Sequence, residues 1–313
     1  MSNHLKCANL YIILESEVIM MLWNIKNGFF DVDIEEVGAQ LWSIKDKAGN
    51  EYLWQGDETY WGDRAPNLFP HIARLTEGAY MLDGKRYEMD IHGFAKDSTF
   101  KVERVADNHI IFRLKDSETT RAQYPFAFTF AVSYRLEGNG IEITYMVKNE
   151  DDKVIHFAVG AHPGFNVPME EGLSFEDYYL EFDEVRAAKR VGCSKDCFIT
   201  GEDVTFEFEE GKRIPLHHDM FDDDAIVLVD MARSVTLTSD KGKKGICVTY
   251  PDMPYLGLWH WPKTDAPYIC IEPWSALPAR KDIVEDFATQ KDMTHLQPGQ
   301  EYKNTCWIQV IDK

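Results

Sequence analysis

Basic residues are scarce in this 313-residue chain: 33 Lys and Arg stand against 53 Asp and Glu, a formal charge of −20. Such a surface repels polyanions over long range, which argues against nucleic acid or an anionic membrane face as a partner. Long apolar runs are missing too. LYIIL at 10–14 is interrupted by Glu15 and Glu17, too short for a secretory core and far too short to span a bilayer. With no targeting signal, a cytoplasmic location is expected. Cysteine is sparse, at positions 7, 193, 197, 247, 270 and 306. Cys193 and Cys197 (CSKDC) are close, but no second pair stands at zinc-ligand spacing, so free thiols in a reducing compartment and no metal centre are expected. The chain also lacks a Walker loop, a GxGxxG after a strand, a GxSxG elbow and an HExxH helix. Nucleotide, dinucleotide, serine-hydrolase and zinc-peptidase chemistry lose support accordingly.

Helical periodicity is scarce, with short helical turns expected near 216–221 or 280–287. Alternation with period two dominates instead. FAFTFAVSYRL (126–136) and IEITYMV (141–147) flank Gly138-Asn139-Gly140, a strong hairpin signal. Further strands are expected at 29–37, 80–91 with Asp83-Gly84 at its turn, 109–114, 154–160, 178–182, 204–208, 234–239, 246–250, 268–273 and 305–311. No βαβ alternation, internal repeat or linker-like stretch interrupts them. The expected fold class is all-β, with large antiparallel sheets packed face to face. Residues 21–313 are read as one domain, and 1–20 as a loosely attached N-terminal extension.

Three segments put polar groups where a plain β-core would not want them. In YICIEPW, Cys270, Glu272 and Trp274 alternate away from Ile269 and Ile271. A carboxylate in so apolar a strand is desolvated, which raises its pKa toward that of a useful base; the alternative is an edge-strand Glu paired with a surface Lys. In VIHFAVGAHPGF (154–165), His156, Ala158, Gly160 and His162 fall on one strand face, with a hollow at the two small residues. His156 fits a structural histidine; His162, at a strand end beside Pro163-Gly164, fits a proton donor better. In DIHGFAKD (90–97), His92 ends a strand next to Gly93, and upstream Arg74 offers a fixed cation with five donors. Trp259, in LWHWP, and Trp274 have flat faces that suit either a core or the C–H faces of a sugar ring.

Taken in order, NGFFDVDIEEVGAQLWSIKD, EYLWQGD, YWGDRAPNLFPHIARL, YEMDIHGFAKD, VGAHPGFNVP, PYLGLWHWP, YICIEPW and LQPGQEY resemble the aldose 1-epimerase, or galactose mutarotase-like, family, in particular its LacX-like branch. The resemblance runs from about residue 23 to the C-terminus. It implies a β-supersandwich with a sugar bound in an open cleft and no cofactor or metal. It also implies roles. Glu272 resembles the general base at the C1 hydroxyl, and His162 the general acid at the ring oxygen. His92 matches a histidine binding near that oxygen, and Arg74 an arginine holding a hydroxyl. An aspartate is to be drawn from Asp222, Asp223 and Asp224, with Asp224 preferred. The expected partner is a small sugar, and the chain is expected as a monomer or homodimer. AHPGF stands where galactose-specific members carry a longer Asn-His motif, and EPW where they end in a Glu-Thr-Gln-like run, so the sugar stays open. A non-catalytic sugar-binding protein and a hexose-6-phosphate 1-epimerase are the competing readings; the latter needs cations around the cleft, for which Arg64 and Arg74 are candidates.

Overall fold

The computed structural model describes residues 10–15 and 18–313. The strongest period-two segment forms its hairpin: Phe128–Glu137 pairs antiparallel with Gly140–Asn149, in register from Phe128↔Asn149 to Glu137↔Gly140. Gly138 turns the chain at φ +56, a left-handed conformation glycine adopts without steric cost. Phe128, Phe130, Val132, Tyr134 and Leu136 are buried from one strand, and Ile141, Ile143, Tyr145 and Val147 from the other. This hairpin lies within a nine-stranded sheet. Its order is Arg213–Pro215, Tyr179–Phe182, Ser234–Thr238, Lys244–Thr249, Glu301–Asp312, Gly140–Asn149, Phe128–Glu137, His109–Lys115 and Lys101–Ala106.

A second large sheet carries the site. Tyr268–Trp274 lies within it, flanked by Tyr255–Trp259 on one side and by Gly160–Ala161 and Gly164–Asn166 on the other. All seven residues of Tyr268–Trp274 are buried, which explains its near-continuous apolar run. A four-stranded sheet precedes both, built from Leu10–Glu15, Val18–Lys26, Phe30–Glu35 and Leu41–Asp46. The extension expected over 1–20 thus lies partly outside the described residues, while Leu10–Glu15 is strand paired with Val18–Lys26 rather than loose chain. One cluster of buried side chains runs from Ile25 to Val310 through these sheets.

Several local expectations are corrected. The segment 154–160 is not one strand. Ile155–Phe157 pairs with Thr294–Leu296, and only Gly160–Ala161 joins the large sheet. Between them the backbone turns to bond elsewhere: Ala158 N donates to Pro70 O at 2.7 Å and Val159 N to Ser275 Oγ at 2.8 Å. The common face of His156, Ala158, Gly160 and His162 therefore does not form. The strand expected over 204–208 shortens to Val204–Thr205. A 3-10 turn forms at His218–Phe221, but no helix forms at 280–287. The α-helix Glu118–Gln123, capped by Ser117, carries no apolar stripe long enough to signal it.

Candidate active site

Glu272 enters the site from the large sheet, where Gly257 faces it across the ladder and Trp274 lies two residues on. The Trp274 ring lies against Gly257, where a Cβ would come within 2.6 Å of it. The neighbouring chain brings His162 alongside, held by Gly160↔Trp274 on one side and Gly164↔Cys270 on the other. His162 Nε2 stands 3.2 Å from Glu272 Oε2, with both side chains buried. The approach is not aligned as a hydrogen bond, and among the described residues neither Glu272 Oε2 nor His162 Nδ1 has a hydrogen-bond partner. A buried carboxylate oxygen left unsatisfied calls for an explanation, and a ligand is one.

Both groups open into a cavity of about 390 Å³ that His92, Arg74, Asp224, Trp259 and Trp274 also line. Seven of the residues singled out in the sequence thus meet in one place. His92 Nδ1 accepts from Ala73 N at 3.0 Å, and the backbone N–H of His92 donates to Ala73 O at 2.9 Å. With Nδ1 occupied as an acceptor, Nε2 carries the ring proton, which makes His92 a neutral donor. Asp224 lies in the wall while Asp222 and Asp223 are exposed, and Asp223 pairs with Lys195 at 3.0 Å. Arg74 Nη1 is 3.7 Å from Asp224 Oδ2 and donates to Asp196 O at 3.3 Å. Ala73, His92, Cys197 and Asp224 all line this cavity, and all are non-glycine residues at φ between +55 and +76. Such conformations cost energy and persist where surroundings fix them, commonly at functional sites. A larger hollow of about 780 Å³, bordered by Lys101, Arg113 and Asp116, gathers no comparable set of buried polar groups, so chemistry rather than volume selects the smaller one.

The family model for aldose 1-epimerase matches residues 21–309. The chain belongs to the aldose 1-epimerase family. It is 38% identical over 305 residues to the chromosomal protein LacX of Lactococcus lactis subsp. lactis, covering 93% of this chain and all of that one. A galactose mutarotase related enzyme from Lactobacillus acidophilus superposes with a TM-score of 0.88 at 34% identity, covering 94% of this chain and 100% of that structure. A galactose mutarotase-like protein from Lactobacillus casei gives 0.88 and 34%, covering 92% and 99%. The fold is accordingly galactose mutarotase-like.

For an aldose 1-epimerase family site the electrostatics differ from what free residues would give. Burial, reinforced by Asp224, raises the Glu272 carboxyl well above its ordinary value. Burial lowers His162 to about 3, and desolvation with neighbouring His162 holds His92 well below its usual range. Asp224 is raised by burial as well. The single proton of the Glu272–His162 pair therefore rests on the carboxyl, the reverse of the order in free side chains. His162, Cys270 and Glu272 also bring one ligand atom each within 4.8 Å of one another, a spacing that could hold a metal ion.

Trp61, Asp63, Lys96 and Cys197 line the same cavity and carry no periodic signal in the sequence. Trp61 is the most intimate of them. Its ring lies 4.9 Å from His162 and 5.6 Å from Trp259, at 85° to the latter. It sits in the irregular stretch after Asp57, where only the quoted YWGDR motif draws notice. Two other sequence candidates fall elsewhere. Arg64 stacks 3.7 Å over Trp42 and donates to Trp42 O and Gln55 Oε1, both at 2.7 Å. His156 pairs with His295, Nδ1 to Nδ1 at 2.6 Å, on the small two-stranded sheet, in keeping with a structural role.

Proposed function

We propose that the protein is an aldose 1-epimerase that interconverts the anomers of a neutral aldose, with Glu272 and His162 as its acid–base pair. The observation that carries this reading is their 3.2 Å approach at the wall of a cavity, with the carboxylate oxygen otherwise unpartnered. O1 and O5 of a pyranose are both bonded to C1, so an acid and a base standing side by side reach both. Glu272 takes the proton from the C1 hydroxyl while Nε2 of His162 gives one to O5. The C1–O5 bond breaks, leaving an aldehyde and a hydroxyl. Rotation about C1–C2 presents the other carbonyl face, and the same two groups return the protons in reverse. His92, a fixed Nε2–H donor, supports the ring oxygen, and Arg74 with Asp224 engages hydroxyls further along the sugar. Trp61 and Trp259 offer faces for its C–H surface. Apart from cleavage and re-formation of the C1–O5 bond, only protons move, and each partner is worth ~10²–10⁴-fold.

A phosphorylated substrate is less well served. Lys96 and Arg74 are the cations at the cavity. Lys96 is 2.6 Å from Asp97 and Arg74 is committed to Asp224, with Asp63 and Glu272 beside them. NMR anomer exchange on a panel of aldoses and aldose 6-phosphates tests the reading. Exchange on a neutral aldose is expected to fall at least a hundredfold in Glu272→Gln, with the fold unchanged. Near-normal exchange in a folded Glu272→Gln protein removes the base. Sugar binding without exchange in the parent protein would make it a binder instead.

A further inference from the structure

Of the sequence features that sugar chemistry leaves unused, CSKDC has the most specific placement. Ser194 N donates to Phe198 O at 2.8 Å and Cys197 N to Ser194 O at 2.9 Å, which closes a tight turn over residues 194–198. Cys197 sits in that turn at φ +59. Cys193 bridges antiparallel to Ile199 across that turn, so the two free thiols are carried on the two sides of one short loop. They occupy the partition between two cavities. Cys197 lines the sugar cleft and is buried. Cys193 lines a separate outer hollow of about 430 Å³ bordered by Arg190 and Lys195, and is half-buried; Ala225 belongs to both walls.

We propose that Cys193 and Cys197 form a reversible thiol–disulfide site, entered from the outer hollow and read out in the sugar cleft. Its kinetic consequence rests on the epimerase reading above; its chemistry does not. Thiolates, not thiols, react with oxidants, and neighbouring cations favour them. Here the neighbouring Cys197 thiol and the Arg190 guanidinium lower Cys193, while Cys193 and burial raise Cys197. Cys193 is thus the attacking sulfur and Cys197 the resolving one. A hydroperoxide, ROOH, supplies the oxidising equivalents. The Cys193 thiolate attacks the terminal oxygen, the O–O bond breaks, and alcohol leaves with a proton, giving a sulfenic acid. Cys197 then attacks that sulfur, the S–O bond breaks, and water leaves as the disulfide forms. In sum, two thiols and one hydroperoxide give one disulfide, one alcohol and one water. Rare disulfides of reducing compartments are of this transient kind.

Bond formation must bring the two sulfurs to roughly 2 Å of one another. The strain falls on Cys197, in the cleft wall, and on its neighbour Asp196, whose carbonyl accepts from Arg74. Oxidation therefore moves a sugar-holding cation rather than the acid–base pair, and the expected effect is on KM. The test treats the full chain with stoichiometric hydrogen peroxide. Expected are the loss of two titratable thiols per chain, a peptide map linking Cys193 to Cys197, and a several-fold rise in KM with kcat nearly unchanged, all reversed by dithiothreitol. Cys193→Ser should match the reduced parent in activity and be indifferent to the same peroxide dose. Persistent thiols, a bond formed between chains, or a Cys193–Cys197 bond without kinetic effect would each overturn the proposal. If the reduced protein shows no anomer exchange, the epimerase reading fails on its own. Thiol counts and sugar affinity measured before and after peroxide then still decide the disulfide site.

Discussion

Glu272 and His162 share one proton between two groups that burial pushes in opposite directions, Glu272 up and His162 down to about 3. In the proposed reaction the productive state, carboxylate with imidazolium, is a tautomer of the resting state, carboxylic acid with neutral imidazole. Both hold one proton, so the rate should follow the population of singly protonated pairs, and the expected kcat/KM profile is a bell. Free residues would put Glu272 on the acid limb and His162 on the alkaline limb. The buried pair is the other way round: a second proton enters on His162 at low pH, and the single proton leaves Glu272 at high pH. His162→Asn separates the two assignments. Its residual exchange needs only the ionised Glu272 and so rises with pH through the Glu272 titration. In the inverted order that rise falls on the parent's alkaline limb; in the free-residue order it falls on the acid limb. Rates for both proteins across the pH range give the answer, and a variant that keeps the parent's rate and alkaline fall removes His162 as the partner. His92 is poorly placed to replace it, because Nδ1 is occupied by the Ala73 N–H and protonation would break that bond.

At the scale of elements, Tyr268–Trp274 and Tyr255–Trp259 act as one unit, since Gly257 leaves room for the Trp274 indole across from Glu272. Gly257→Ala places a methyl within 2.6 Å of that ring, which must tilt into the cleft or lift the strand. Overpacking of this kind costs about 1–3 kcal/mol. The expected outcome is a stability loss of that size by chemical denaturation, with a larger relative loss in anomer exchange than in stability. Unchanged exchange in a folded variant would show that the Trp274 position is not critical. The same unit shows what was legible beforehand. Period two gave Phe128–Glu137, its hairpin partner and the alternation that puts Cys270, Glu272 and Trp274 together, because a buried strand leaves a regular apolar trace. It failed over 154–160, where Ala158 and Val159 bond to Pro70 and Ser275, long-range partners that no local pattern encodes. Trp61 and Lys96 escaped notice for the same reason. They reach the cleft from irregular chain, where position is set by tertiary contacts and not by spacing. The resemblance of ordered motifs supplied the roles of Arg74 and Asp224, which alternation could not.

For the whole molecule, the balance of buried titratable groups governs acid stability. Burial lowers His71 and His260 to about 4 and His162 to about 3, and it lowers His92 as well. Asp33, Glu35, Asp63, Asp224 and Glu272 are raised by burial. These two sets act with opposite sign. A histidine lowered on folding is protonated first in the unfolded chain, so stability falls as pH drops below about 6.5 and levels off past the folded value. A raised carboxyl binds its proton first in the folded chain, so stability grows as pH falls through its raised value. Carboxylates lowered by their partners, Asp46, Asp177, Glu181 and Glu285 among them, add a third set that loses stability as pH falls, so a single group has to be isolated by substitution. His71 is suited to this, being fully buried and stacked on Phe287 at 5.5 Å and 8°. Its depression from 6.5 to about 4 converts at 1.36 kcal/mol per pKa unit to about 3 kcal/mol, lost between pH 6.5 and 4. His71→Leu should lower stability at pH 7 through altered packing, yet lose about 3 kcal/mol less than the parent on going from pH 7 to pH 4. Denaturation midpoints at a series of pH values measure both curves. Parallel curves would mean that His71 takes up its proton in the folded protein as readily as in the unfolded one, and that the acid sensitivity lies with other groups.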